Sequence, residues 1–215
     1  MIHIRNVSRL KLDETLRRLR AAGMDSLPGG GAEILVDDVR KRLMKNKASG
    51  AEWLEAHETA HGMGMRSTAT MMFGHIESRA DRIEHLLMLR ELQDRTGGFT
   101  AFIGWTFQPG HTELGGKEAT TAEYLRTMAV ARIVLDNFEN LQASWVTQGP
   151  KVGAASLAFG VNDMGSTMIE ENVVSAAGTV HHMNEPEIVA AVRDAGFTPV
   201  RRNMLYERLG APLHA

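Results

Sequence analysis

This chain of 215 residues contains no cysteine. That absence excludes disulfides and any metal site built on thiolates. No apolar run approaches the ~18 residues of a membrane-spanning helix, so the sequence holds no membrane span. Charge of one sign is lacking as well, with 24 Lys and Arg against 26 Asp and Glu and a net charge of −2. Nothing here is basic enough to point to a nucleic-acid partner. The first residues, Met1 to Glu14, have no apolar core of a secretory signal, and the chain is expected in the cytoplasm. What is present is 43% hydrophobic residues and mixed charge, the profile of an ordinary globular protein. At this length it reads as one domain over residues 1–215.

The order of elements is legible in the patterning. Leu12, Leu16, Leu19 and Ala22 recur at spacings of four and three, a helical stripe that Gly23 ends. Asp25 to Leu35 reads as a short strand and a loop around Gly29, Gly30 and Gly31. Asp37 to Lys45 and Ala51 to His61 read as helices. Ser67 to Phe73 and Phe99 to Phe107 read as strands. Between them Arg79 to Thr96 is a long helix, with Ile83, Leu86 and Leu87 on one face and Leu89 and Leu92 widening the stripe. Thr120 and Glu123 are spaced as a capping box before a helix over 121–137. A strand from Leu141 to Val146, a helix from Lys151 to Phe159, a short strand from Gly165 to Ile169 and a helix from Glu185 to Ala195 follow. Short strands alternating with helices indicate parallel βα units. Roughly five strands are too few for a closed eight-stranded barrel.

Chemistry-bearing residues gather after the strands. Ser144 to Gly178 is the densest stretch, with Thr147, Gln148 and Lys151, then Asn162 and Asp163, then Glu170, Glu171 and Asn172. In a (β/α) barrel such strand ends carry the chemistry. The bland alternative is polar surface loops. Upstream, Gly29, Gly30 and Gly31 let a backbone approach a ligand, and Glu33 beyond them offers a carboxylate. The alternative there is a tight turn with an exposed acid. Thr70, Gly74, His75 and Glu77 follow one strand, and Gln108 and His111 follow the next.

One motif points elsewhere. His57-Glu58-Thr59-Ala60-His61 is a literal H-E-x-x-H, and on a helix its two histidines face one way. They would bind zinc with Glu58 as general base, as in a zinc hydrolase. A third ligand is not evident, since Ser67 stands where one zinc-protease class has its third histidine. The alternative is a solvated helix end with histidines near its C-terminal dipole.

The blocks WVTQGPKVG, GVNDMGSTMIEENVVSAAG, DSLPGGGAEIL, TATMMFGHIE and FTAFIGWTFQPGHT resemble the C-terminal portion of the cyclic dehypoxanthine futalosine synthase family. These are radical S-adenosylmethionine enzymes of the futalosine route to menaquinone. Aminofutalosine synthase and the deazaflavin-forming synthases are similar at greater distance. The resemblance runs through nearly the whole chain and implies a partial (β/α) TIM-type barrel, its C-terminal strands and helices only. It implies S-adenosylmethionine as cofactor, near Gly31 and Glu33 and near Thr70, Gly74, His75 and Glu77. It implies a small nucleoside substrate, with Gln108, His111, Thr147, Gln148 and Asn172 as contacts. Glu170 and Glu171 become candidates for the base, with Asp163 third. Two departures stand out: relatives tend to have Pro where Gly104 stands and Asn where His111 stands.

The same resemblance makes the missing cysteines consequential. Family members hold a [4Fe–4S] cluster on three cysteines near the start of the barrel, and this chain has none to offer. It is therefore expected to be the back part of such an enzyme, inactive alone, with a cluster-bearing front half as a possible partner. In the intact family the cluster reduces S-adenosylmethionine to a 5′-deoxyadenosyl radical. The radical takes hydrogen from the substrate ribose, the carbon radical adds to the aryl ring, and loss of an electron and a proton gives the spiro product. The protein orients the reactants and takes the final proton.

Overall fold

The computed structural model describes residues 1–44, 47–110, 112–167 and 181–213. Nine helices among them are α1 (Ile2–Ser8), α2 (Leu12–Ala21), α3 (Asp37–Leu43), α4 (Gly50–Gly62), α5 (Arg79–Thr96), α6 (Thr121–Val134), α7 (Trp145–Gln148), α8 (Pro150–Ser156) and α9 (Glu185–Asp194). Strands β1 (Ser26–Leu27), β2 (Arg66–Phe73), β3 (Phe99–Thr106) and β4 (Asn140–Gln142) form one sheet in that order. The first pairing is parallel, with Ser26 opposite Arg66 and Leu27 opposite Ser67. A separate antiparallel pair, β5 (Arg201–Arg202) and β6 (Arg208–Leu209), follows α9.

The helix starts obey local chemistry. The Ser49 hydroxyl accepts the Glu52 N–H while Glu52 accepts the Ser49 N–H, a reciprocal cap that begins α4. Ser78 and Asp81 do the same for α5, and Asn184 and Glu187 for α9. The Thr120 hydroxyl accepts the Glu123 N–H at 3.2 Å, as the spacing foretold. Gly97, at φ 59°, closes α5 in the left-handed conformation.

The chain falls into two compact units. The first is Met1–Met71, Ile76–Phe102 and Val134–Glu139; the second is Met72–His75, Ile103–Ile133 and Asn140–Ala215. In the first, Ile2, Leu12, Leu16, Leu27, Ala56, Ala60 and Met65 form a buried cluster. Each large aliphatic side chain so buried contributes ~1.5–3 kcal/mol. Alternate residues of β2 are buried, namely Ser67, Ala69, Met71 and Phe73, while Thr68 and Thr70 lie on its other face. In the second unit, Phe73 stacks on Tyr124 with ring centroids 6.3 Å apart.

Four expectations are corrected here. The buried face of α5 is Arg82, His85, Leu86, Leu89, Leu92 and Gln93, whereas Ile83 and Leu87 are exposed. Its polar members are buried because they are bonded: Gln93, for instance, donates to the Phe99 carbonyl at 3.1 Å and accepts its N–H at 2.8 Å. The strand expected over 141–146 ends at Gln142, and Trp145–Gln148 is helical. The Tyr124 hydroxyl accepts the Ser144 N–H at 3.0 Å, and the Ser144 carbonyl accepts the N–H groups of Thr147 and Gln148, so the chain turns. The helix expected over 151–159 is α8 followed by a 3₁₀ turn, Leu157–Phe159. Of the short strand expected over 165–169, residues 165–167 are not strand and 168–169 lie outside the described residues. The extended contact there is instead a single parallel bridge, Gln142 to Asp163.

Candidate functional site

The glycine loop belongs to the first unit and is tied to β2 at one residue. The Gly29 N–H donates to Thr68 Oγ1 at 2.9 Å, and Thr70 Oγ1 donates to the Gly29 carbonyl at 2.5 Å. A Cβ on Gly29 would stand 2.6 Å from the Thr68 carbonyl oxygen, so no larger residue fits. At Gly30 and Gly31 a Cβ would meet nothing within 4 Å. Those two glycines line a cavity of about 550 Å³ together with Leu27, Pro28, Trp53 and His57.

The loop has an organiser that sequence reasoning missed. Arg40 on α3 is buried, and its guanidinium donates to the carbonyls of Gly31 at 3.2 Å, Ile34 at 3.0 Å, Ala48 at 2.6 Å and also Ala32. Burial pushes the Arg40 pKa down, while the charges of Glu33 and Asp37 push back. In the sequence Arg40 is one of several cations on a short basic helix, and only its helical phase distinguishes it. Glu33 sits at φ 44°, a left-handed conformation uncommon for a non-glycine residue, and its carboxylate accepts from Lys47 Nζ at 2.8 Å. Burial also holds His85 at a pKa of about 3, and its Nδ1 accepts the Leu35 N–H at 3.0 Å. The side chain of Glu77, in this unit, is shielded from solvent and pairs with Arg82 at 2.6 Å.

The H-E-x-x-H helix, α4, is used differently from a zinc helix and from a solvated end. Ser67 Oγ lies 2.9 Å from His57 Nδ1 and 2.7 Å from His61 Nε2. His61 Nδ1 lies 2.8 Å from Thr96 Oγ1. Trp53 covers the His57 ring, centroids 3.8 Å apart. Burial pushes His57 to about 3 and His61 to about 4, so both are neutral at physiological pH. Glu58 points to Arg95, 3.1 Å away, on the exposed side. Among the described residues no three His, Asp or Glu groups come together as a metal site. The motif is a hydrogen-bonded pair of imidazoles around one hydroxyl, His57 buried and His61 partly so.

In the second unit the strand ends gather polar side chains. Gln108 Nε2 donates to the Thr106 carbonyl at 3.2 Å and to Thr106 Oγ1 at 3.0 Å. Gln148 Nε2 donates to the same Thr106 Oγ1 at 2.5 Å and to Thr147 Oγ1 at 3.3 Å. Thr147 Oγ1 lies 2.8 Å from Ser144 Oγ and donates to the Ser144 carbonyl at 3.2 Å. Gln108, Thr147 and Gln148, far apart in sequence, are thereby joined. Thr106 and Ser144, which join them, went unnoticed because a threonine within a strand and a serine after one are ordinary there. His75 Nε2 donates to the Met72 carbonyl at 3.1 Å, and its ring meets Phe107 edge-on, centroids 6.1 Å apart. Gly74, at φ 88°, leaves no room for a Cβ, which would stand 2.9 Å from that of Ala119.

Asp163 is held by charge. Its carboxylate takes two bonds from Arg202, at 2.8 and 3.0 Å, and the Gly165 N–H at 2.6 Å. Arg202 also lies 4.1 Å above the Tyr206 ring. Burial, then the charge of Asp163, pushes Tyr206 up to about 12. His111, Glu170, Glu171 and Asn172 lie outside the described residues.

The cofactors implied by the resemblance fare unequally against this geometry. A [4Fe–4S] cluster does not fit, since the sequence supplies no thiolate. The bare backbone of Gly30 and Gly31 beside a cavity fits a small ligand that approaches main chain closely. No described helix is long and apolar enough to cross a membrane.

Comparison with known proteins agrees with the architecture. The chain is 50% identical over 208 residues to cyclic dehypoxanthine futalosine synthase of Streptomyces coelicolor, covering 96% of this chain and 52% of that protein. It is 43% identical over 214 residues to aminodeoxyfutalosine synthase of Thermus thermophilus, covering 96% and 58%. The chain thus spans about half the length of the curated relatives it matches. The crystal structure of methylornithine synthase superposes with a TM-score of 0.66 at 16% identity, over 89% of this chain and 57% of that one, which establishes the fold: α/β, consistent with a partial TIM-type barrel. The Radical SAM superfamily model matches residues 3–89. The model of the CofH/MqnC C-terminal region matches residues 96–215, more than half of the chain, and the chain belongs to that family.

Proposed function

We propose that this chain forms the C-terminal strand ends of a radical S-adenosylmethionine cyclase acting in the cytoplasm on a nucleoside of the futalosine route, giving cyclic dehypoxanthinylfutalosine for menaquinone biosynthesis. The observation that carries the reading is the union of Gln108, Thr147 and Gln148 through Thr106. Polar side chains held rigid by one another at strand ends suit the positioning of a sugar or carboxyl group. The 50% identity to a cyclic dehypoxanthine futalosine synthase supports this reaction class.

The roles divide as follows. Gln108, Thr147 and Gln148 orient the substrate, with Asn172 and His111 as further contacts. Glu170 or Glu171 takes the final proton. Asp163, engaged by Arg202, is suited to holding the strand end in place. Gly31 and Glu33, with Thr70, Gly74, His75 and Glu77, belong to the S-adenosylmethionine side. When bound beside a reducing cluster, that cofactor supplies hydrogen abstraction. The cluster itself requires thiolates from a second polypeptide segment, the partner we assign to this chain.

The test is complementation. The chain is combined with the cluster-bearing front segment of the Streptomyces coelicolor relative, and product is followed by mass spectrometry. Turnover is expected, and Glu170→Gln or Glu171→Gln should lower it by ~10²–10⁴-fold, the range of general-base contributions. Failure of a properly reconstituted complex to form the product, or full activity of both variants, would sink the reading.

A further inference from the structure

The hydrogen bonds around Thr106 have a direction. The Thr106 carbonyl only accepts, so the group of Gln108 facing it at 3.2 Å is the amide nitrogen. The same nitrogen donates to Thr106 Oγ1 and occupies one of its two lone pairs. The Thr147 hydroxyl spends its hydrogen on Ser144, whose carbonyl lies at 3.2 Å and whose Oγ lies at 2.8 Å. Thr147 Oγ1 is then an acceptor, and the edge of Gln148 turned toward it is also the amide nitrogen. Gln148 therefore spends its two N–H groups on Thr147 and Thr106, and the second of these fills the remaining lone pair of Thr106. Two groups are left over. The Thr106 hydroxyl hydrogen has no acceptor among the described residues, and Gln148 Oε1 has no donor among them. Thr106 is 2% exposed, so bulk water does not readily take up its hydrogen. One amide group separates this unspent donor from the unspent acceptor.

We propose that Thr106 is the positioning residue of a subsite that takes a ribosyl hydroxyl pair, its hydroxyl donating to one sugar oxygen while Gln148 Oε1 accepts from the neighbouring one. This rests on the nucleoside reading of the strand ends and deepens it by naming the part of the nucleoside that is read and the group that orients the reader. A sugar hydroxyl both donates and accepts, which matches a donor beside an acceptor. A carboxylate would match only the donor, and an ammonium only the acceptor. Gln108 serves as the stop that keeps the Thr106 hydroxyl turned: without its N–H, Thr106 would be free to offer its hydrogen elsewhere.

The experiment uses the full chain labelled with nitrogen-15, reading the side-chain amide signals of Gln108 and Gln148. Without ligand, Thr106→Val should move both amides toward the positions of solvated glutamine, and Thr106→Ser should leave them near wild type. Amides that are unmoved in a folded Thr106→Val overturn the positioning role, whether or not nucleosides bind. Adenosine is then titrated against 2′,3′-dideoxyadenosine, which lacks the diol. Wild type should show a saturable shift of the Gln148 amide with adenosine, at least about tenfold weaker with the dideoxy compound and in Thr106→Val, as expected when a polar site loses its partner. Equal affinity for the two nucleosides, or none for either, overturns the diol assignment. Because the first measurement needs no ligand, loss of the nucleoside reading and loss of the positioning role are told apart. Should Thr106→Val not fold, Gln108→Met read by the same Gln148 signal takes its place, with an unmoved signal counting against the role.

Discussion

Acidification should unlock the first unit in a defined window, and its histidines set that window. His57 and His85 are buried, at 2% and 0% exposure, and burial pushes both to a pKa of about 3. In the unfolded chain a histidine titrates near 6.5. The folded state therefore binds fewer protons than the unfolded state between about pH 6.5 and 3. Stability is fully present above about 6.5 and is lost as pH falls toward the folded values. Between pH 8 and 5 each such histidine costs ~2 kcal/mol, so the two together cost ~4 kcal/mol, against a typical total of ~5–15 kcal/mol. His61, pushed to about 4, adds to the loss in the same direction, but it is partly exposed and adds less than a buried ring would. The assay is urea unfolding at pH 8, 7, 6 and 5, followed by the fluorescence of Trp53, which lies against His57, with Trp105 and Trp145 replaced by Phe. The expected result is a midpoint constant above pH 7 that falls steeply below 6.5. His57→Gln should make the fall shallower by ~1.4 kcal/mol per pH unit, the cost of one proton. A midpoint independent of pH between 8 and 5, or a slope untouched by His57→Gln, would show that these rings are not held neutral by burial.

Further outcomes follow from the same geometry. Ser67→Ala leaves two imidazole nitrogens without the hydroxyl between them, and should cost ~1–3 kcal/mol in urea unfolding. Asp163→Ala should cost the second unit ~3–5 kcal/mol by stranding Arg202, 15% exposed, and Asp163→Leu with Arg202→Met should recover much of it. The chain alone, reconstituted anaerobically with iron and sulfide, should yield no 5′-deoxyadenosine above a protein-free control, because the cluster requires thiolates that the sequence does not contain.

Much of this protein is legible in its sequence because its elements are locally consistent. The Thr120–Glu123 cap and the stop at Gly23 appear as expected, and the serine and asparagine caps and the alternation of β2 likewise follow from neighbouring residues. The failures share one cause. Where a polar side chain is bonded to backbone, hydrophobicity no longer reports burial. On α5 a reading that counts only leucine and isoleucine turns the helix toward Ile83 and Leu87, both of which are exposed. The true face carries Arg82, His85 and Gln93 because each finds a partner there. The strand expected through Val146 fails likewise: Tyr124, some twenty residues upstream, captures the Ser144 N–H that a ladder would have used.

The same cause decides the meaning of His57-Glu58-x-x-His61. Two histidines four apart on a helix share a face whatever their purpose. A zinc site would need that face to open on a cavity with a third ligand, and Glu58 to stand beside the metal. Here the face meets β2 at Ser67, whose hydroxyl can donate to one imidazole and accept from the other. Gly98 completes the arrangement, for a Cβ there would run into the His61 ring. A helix that presses histidines against a sheet needs a small hydroxyl residue opposite and a glycine beside, and both are in the sequence, at Ser67 and Gly98. Neither is recognisable as a partner until the folded sheet, with β2 beside β3, brings Ser67 and Gly98 to the histidines. Functional motifs and packing motifs thus differ here by what lies across the interface: the His57 and His61 rings meet a hydroxyl of the protein itself, whereas the Thr106 hydroxyl hydrogen and Gln148 Oε1 meet no partner among the described residues.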